Sequence, residues 1–428
     1  MFDRRLDRRK FLTQASATAA SVVPIGLLAR FEGRAGTGLP QEDWVSRARS
    51  EIPAASESAY FQTGGIGPAA RSTIEEVGLK LALQNRGPAD PRFSDAMAQI
   101  EPNLRAYLAD VFGVSPNGVA LTHSTSEGIS IAAWSLNWEV GDEVIVSNQE
   151  HPANVIPWYV LRDRFGIQIR EIDLDSGTSL LDEVASALSP RTRMLSISHV
   201  SRNNGRRIRA AESADLARIL RARDVVYHLD GAQGPGCVPV DFGELGCDCY
   251  STCGHKWLLG PKGTGAFFVR EEMLDRLQLS WAGSHSHATM DYEGSYALLP
   301  SAARYEFGTR ALADFAGLHA AVSWMEQRGF ERVLNRIEDL VGYAIGVVDA
   351  HPGLALASPA DVEDRSGVFV LRLPPGCDAT DVYHRLAGER RVLSSPVRRE
   401  GDLRLAIHFF NTEDEIDSAI EGIAALCS

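Results

Sequence analysis

Short runs of apolar and β-branched residues punctuate the middle of the chain, with longer amphipathic stretches between several of them. Gly118–Leu121, Glu143–Ser147, Gln168–Asp173, Met194–His199, Val225–Asp230 and Gly265–Val269 have the length and residue types of buried strands. Ala210–Arg221 has the helical period, with Glu212, Asp215, Arg218 and Arg221 on its wet face. Strand alternating with helix predicts an α/β fold whose mostly parallel sheet is covered on both faces. From Leu312 an amphipathic pattern predicts one long helix toward Val348, and the remainder reads as a smaller C-terminal α+β domain closing on a helix over Thr412–Leu426. The expected divisions are a leader and linker (1–36), an arm (37–58), a large domain (59–310) and the long helix with the small domain (311–428).

Charge separates the leader from the rest. Of the formal −13, residues 1–30 contribute +4, from Arg4, Arg5, Arg8, Arg9, Lys10 and Arg30 against Asp3 and Asp7, so the remainder carries −17. An acidic body without basic–aromatic clusters argues against a nucleic-acid partner. Arg8-Arg9-Lys10-Phe11-Leu12 followed by the weakly apolar run Ala15–Ala29 has the pattern of a twin-arginine export signal. It is too short, and broken by Pro24 and Gly26, to serve as a membrane span. The implied location is periplasmic, reached through the twin-arginine machinery. Of the cysteines, Cys237, Cys247, Cys249 and Cys253 fall in one apolar stretch and Cys377 and Cys427 lie far downstream; buried free thiols are expected in preference to a bridge. Cys247 and Cys249 lack the spacing and histidines of a zinc site, and no metal is expected.

The densest chemistry lies at Gly254-His255-Lys256-Trp257. A lysine among glycine, histidine and an aromatic residue is unlike a solvated surface lysine, and a desolvated amine is a nucleophile toward carbonyl carbon. Upstream, an apolar strand ends in Asp230-Gly231-Ala232-Gln233 and puts a carboxylate at the carboxyl edge of the sheet, where α/β folds bind ligands. Thr125-Ser126-Glu127-Gly128 follows another strand and offers helix-start N–H groups to a phosphate. His151, in Glu150-His151-Pro152-Ala153-Asn154, is placed to stack on an aromatic ring.

The order of these motifs, with His199-Val200-Ser201 between them, resembles class V of the fold-type I pyridoxal-phosphate (PLP) enzymes, from about Tyr60 to Leu426. That class includes cysteine desulfurases, selenocysteine lyases and isopenicillin-N-epimerase-like proteins. The resemblance implies that Lys256 carries the cofactor, Asp230 pairs with the pyridine nitrogen, His151 stacks on the ring and Gln233 meets the phenolate oxygen. Thr125, Ser126 and His255 would hold the phosphate, while Gly308 and Thr309 would reach the phosphate of a partner subunit in a homodimer with shared sites. For a substrate carboxylate the bidentate fork of arginine is favoured, with Arg404 matching the family position and Arg310 and Arg398 as rivals. Three departures stand out. Arg202 follows His199-Val200-Ser201 where the family has Asn, so either it contacts substrate or the loop shifts to bring Asn203 or Asn204 into place. The stretch Val392–Glu400 lacks the nucleophilic cysteine of desulfurases, and Cys253 replaces a serine, as in the epimerase-like branch.

The expected function is an exported aminotransferase-like enzyme acting at the Cα of an amino-acid group. Transamination or oxidative deamination of a small-molecule or peptide-like amine is expected, as in the exported PLP enzymes of pyoverdine siderophore maturation, which it resembles. The alternatives are an epimerase or a C–S lyase on a free amino acid, and a binding protein that has kept the scaffold without the chemistry.

Overall fold

The computed structural model describes residues 41–397 and 401–428. Its centre is a seven-stranded sheet built from β1 (Val119–Thr122), β2 (Glu143–Ser147), β3 (Gln168–Ile172), β4 (Thr192–Ser198), β5 (Val226–Asp230), β6 (Cys249–Cys253) and β7 (Gly265–Val269). In space the order is β1-β7-β6-β5-β4-β2-β3, and only β7 runs against its neighbours. This is the mostly parallel α/β sheet expected from the alternating pattern, and it agrees with the fold-type I architecture that the resemblance implies. The strands are apolar on both sides because both sides are covered. Leu195, Ile197, Tyr227, Leu229, Tyr250 and Phe268 enter one core, while Met194, Val226, Cys249 and Phe267 enter the other.

Strand periodicity then decides where chemistry can sit. On the face of Met194 and Val226, the alternate positions toward the strand ends are Ser196 and Ser198, His228 and Asp230, Ser251 and Cys253. Ser198 pairs with Asp230, and Asp230 with Ser251, so the polar ends of β4, β5 and β6 lie side by side. Helix α1 (Thr125–Ala133) crosses this face closely. A Cβ at Gly128 would come within 2.7 Å of Ser251 Oγ, which requires glycine there.

The long helix expected from Leu312 is two. Helix α2 (Leu312–Glu326) ends before Gly329, whose φ of +82° breaks the path, and α3 (Phe330–Asp349) begins after it. Phe315, Leu318 and Val322 of α2 pack into the core under the large sheet, whereas α3 packs into the second core. That second core holds the four-stranded antiparallel sheet of β8 (Ala355–Leu356), β9 (Val368–Arg372), β10 (Ser395–Pro396) and β11 (Asp402–Ala406), in the order β8-β9-β11-β10. Helix α4 (Glu413–Leu426) lies on it, started by a capping box between Thr412 and Glu415. Trp44, Val45, Ile52 and Phe61 belong to this same core, so the arm is a helical part of the C-terminal lobe. The chain then passes from Ala59–Tyr60, paired with Val392–Leu393, through a Gln62–Ala406 bridge toward the lysine loop.

One cysteine expectation is corrected. Cys237, Cys247, Cys249 and Cys253 are buried free thiols, but Cys377 and Cys427 form a disulfide. Fifty residues of sequence separate them, and the fold of the small lobe brings their Cα atoms to 5.3 Å. Among the described residues no helix is long and apolar enough to span a membrane, and no cluster suited to a metal is present. The leader lies outside the described residues.

Candidate active site

At the carboxyl ends of β4, β5 and β6 a cavity of about 270 Å³ opens between the two lobes. The large lobe contributes Thr125 and Ser126 from the start of α1, His151, Ser198, Arg202, Asp230, Gln233, Cys253, His255 and Lys256; the small lobe contributes Arg404 from β11. Gly64 and Gly65 form the wall against Arg404. The sequence-separated candidates therefore converge on one space.

Each side chain is held by its own element. Asp230, 4% exposed, accepts the Ala232 N–H at 2.9 Å, and burial raises its carboxyl pKa while that bond and the Lys256 charge oppose the rise. His151 caps a short turn by accepting the Ala153 N–H on Nδ1 at 3.0 Å, so the proton of the neutral ring sits on Nε2. Burial, then the charges of Arg202, Lys256 and Arg404, lower its pKa to about 4. His255 is likewise lowered to about 4, by burial and then by Lys256 and Lys262. Both imidazoles are neutral at physiological pH. The lysine loop is fixed from behind, where Gly67 N–H donates to the His255 carbonyl at 2.6 Å. A Cβ on Gly67 would stand 2.0 Å from the Lys256 carbonyl oxygen, so no other residue fits.

Buried polar atoms without partners show what this cavity suits. His255 Nδ1 and Arg404 Nε make no hydrogen bond, and Thr125 Oγ1 makes none beyond the weak approach of the Cys253 thiol. An orphaned buried donor costs about 1–3 kcal/mol unless a ligand meets it. Thr125 Oγ1, His255 and the first N–H groups of α1 suit a phosphate, and Asp230 suits a protonated ring nitrogen. These are the demands of a phosphorylated pyridine, and the residues present fit it.

Several expected residues lie elsewhere. Arg310 is not in the cavity. Its Nε donates to Glu101 at 2.7 Å, its Nη2 to the Leu121 carbonyl at 2.5 Å, and Glu306 lies at 3.7 Å. Glu306 also takes both forks of Arg105, so Arg310 belongs to a buried ion network rather than to a substrate subsite. Gly308 and Thr309 sit outside the cavity of their own chain, Thr309 exposed. Arg398 lies outside the described residues. Asn203 is turned away, donating to the Gln149 carbonyl at 3.1 Å, which leaves Arg202 as the residue of its loop facing the cavity.

Glu150 was missed. It is 2% exposed and receives Ser147 Oγ, Asn154 Nδ2, and both the backbone N–H and Oγ of the cavity residue Ser198, at 2.5–3.0 Å. Asn154 bonds Ser196, which bonds His228, which bonds Ser251, so one polar chain underlies the cavity. Its position beside His151 was the available signal.

The model of the class V aminotransferase family matches residues 81–418. Isopenicillin N epimerase of Streptomyces clavuligerus is 30% identical over 399 residues, covering 90% of this chain and 98% of the relative. Cysteine desulfurase of Klebsiella pneumoniae is 32% identical over 344 residues, covering 77% and 83%. Among solved structures, a mutant of the C–S lyase C-DES with glycine covalently linked to its PLP cofactor superposes with a TM-score of 0.82 at 25% identity, over 88% of this chain and 98% of that one. The same lyase with its product cysteine persulfide gives the same score over 87% and 99%. With this fold, this family match and a cavity suited to a phosphorylated pyridine, the chain belongs to the class V aminotransferase family of enzymes, and its cofactor is pyridoxal 5′-phosphate.

Proposed function

We propose that the enzyme acts at the Cα of an amino-acid group, by transamination or oxidative deamination of a small or peptide-like amine. The observation that carries this reading is the meeting in one cavity of Lys256, Asp230 and the unpaired Arg404. Bound pyridoxal phosphate supplies an electron sink that acidifies the Cα–H bond of an attached amine. Lys256 holds the cofactor and serves as the base that takes or returns the Cα proton. Asp230 would keep the pyridine nitrogen protonated, His151 would pack on the ring as a neutral imidazole, and Gln233 would donate to the phenolate oxygen. Thr125, Ser126 and His255 meet the phosphate. Arg404 takes the substrate carboxylate and so fixes which bond stands next to Lys256. In a homodimer, Gly308 and Thr309 would face the partner's phosphate.

A second reading, epimerisation or C–S cleavage of a free amino acid, is supported by the names of the relatives. Persulfide transfer through Cys253 is disfavoured, because burial raises its pKa and keeps the thiol protonated. Absorbance of the purified protein beside Lys256→Ala tests the assignment. A band at the violet edge of the visible, lost in the variant and shifted by amines in the wild type, is expected. A wild type whose band no amine moves would sink it. Product analysis then separates the readings, an oxo acid for the first, a racemised amino acid or pyruvate for the second.

Export by the twin-arginine route belongs to the same proposal and rests on Arg8 and Arg9. Arg8→Lys combined with Arg9→Lys should hold the protein in the cytoplasm on cell fractionation; unchanged export would refute it. The Cys377–Cys427 bridge supports an oxidising destination.

A further inference from the structure

The cavity contains more positive charge than one substrate carboxylate would use. Its lining holds a single carboxylate, Asp230, against Lys256, Arg202 and Arg404. Elsewhere in the molecule arginines are routinely matched, as Arg105 with Glu306, Arg336 with Glu413 and Arg310 with Glu101. Among the described residues, no carboxylate lies within ion-pair distance of Arg202 or Arg404. Arg404 is 4% exposed with its Nε unbonded. Burial, then the nearby charge of Arg202, pushes its pKa down to about 10. Burial lowers Arg202 as well. Two desolvated guanidiniums facing one space without a counterion raise the energy of the empty site, and an anionic ligand relieves it.

The cofactor phosphate is not that ligand for both. Arg404 stands against Gly64 beside Gln233, and after burial the charges that lower His151 are Arg202, Lys256 and Arg404, whereas those that lower His255, beside the phosphate donors, are Lys256 and Lys262. The arginines thus gather at the His151 end, away from the donors of Thr125 and His255. One guanidinium suffices for an α-carboxylate through a bidentate fork. The second is left for another acid.

We propose that Arg202 is a specificity residue that binds a second anionic group of the substrate, so that the enzyme selects amines carrying two acids, such as amino dicarboxylates. This rests on the reading of Arg404 as the α-carboxylate anchor. Arg202 is partly buried and its side chain has no hydrogen-bond partner among the described residues, so replacing it leaves the fold's own contacts in place.

The test is calorimetric binding of glutarate and of pentanoate, a mono-acid of equal carbon number, to the holoenzyme. Wild type and Arg202→Asn are compared, and the visible band is titrated in parallel with L-glutamate and L-glutamine. Wild type should bind the diacid at least about tenfold tighter than the mono-acid, and Arg202→Asn should reduce that preference to about twofold or less while pentanoate affinity stays the same. Arg202→Lys should restore part of it. Equal binding of the two acids by wild type, or a preference that survives in Arg202→Asn, overturns the inference. If amines shift the band but diacids have no advantage, this inference alone fails. If no amine shifts the band, the proposed function fails with it.

Discussion

Trp257 donates its indole N–H to Oε1 of Gln233 at 2.7 Å, which fixes which end of that carboxamide is which. Nε2 is therefore the donor, and it gives one proton to the Gly64 carbonyl at 2.8 Å. Its other proton is free for the cavity, as the phenolate role requires. Trp257→Phe should cost about 1 kcal/mol in stability by urea melt and shift the visible band as Gln233 turns. An unmoved band would show that Gln233 does not touch the cofactor.

Asp230 and Lys256 should fail in different ways. Lys256→Ala should lose the attached chromophore, whereas Asp230→Ala should keep it while turnover drops by at least about a hundredfold, the scale of a lost electrostatic stabiliser. Side-by-side spectra and initial rates on a substrate amine check this.

Arg310 and Arg404 likewise separate stability from binding. Arg310→Ala takes the guanidinium from Glu101 and from the Leu121 carbonyl, Glu306 keeping Arg105, and should destabilise the fold by about 3 kcal/mol. Arg404→Ala removes an unbonded guanidinium and should leave the melting temperature nearly unchanged while raising KM. Thermal melts and substrate titrations on both variants decide the point.

Glu150 carries a pH signature. Burial, with a contribution from the Asp230 charge, raises its pKa to about 7 from the ordinary carboxylate value of 4.5. The folded state therefore holds this proton where the unfolded chain has released it, so this group's contribution to stability falls by about 1.4 kcal/mol per pH unit as pH rises from 4.5 toward 7, then levels off. Glu150→Gln should lack that slope in urea melts between these limits. An identical slope in the variant would show that Glu150 is already ionised when folded.

The Cys377–Cys427 bridge should matter in proportion to the chain it closes. For a separation of 50 residues, loop-closure entropy suggests about 4 kcal/mol, to be read as a lower melting temperature in Cys427→Ser or under reductant. An equal melting temperature with and without reductant would show that the bridge contributes nothing.

What the sequence revealed was local. Asp230 and Thr125 each close or follow a strand whose composition marks it, so alternation alone brought them to one sheet edge, while Lys256 was marked by its own motif. What it concealed depended on remote packing. Strand Cys249–Cys253 went unread, although its cysteines and hydroxyls suit a buried strand. Gly67 is forced by the Lys256 carbonyl 189 positions downstream, which no local pattern announces. Arg310 looked like Arg404 because each sits in a plausible motif. Only the carboxylates around one and not the other tell them apart.

The pairing of Ala59–Tyr60 with Val392–Leu393, and of Gln62 with Ala406, also sets an order of events in the cell. The segment that braces Lys256 is made before the sheet, yet its β partners and Arg404 leave the ribosome after it. At roughly 5–20 residues per second, a nascent chain that has passed Val269 has every strand of the sheet made while the lobe that closes the cavity is still unfinished. Cofactor capture in the finished geometry therefore waits until Arg404 and its strand have emerged, and so does any step that acts on the folded holoenzyme.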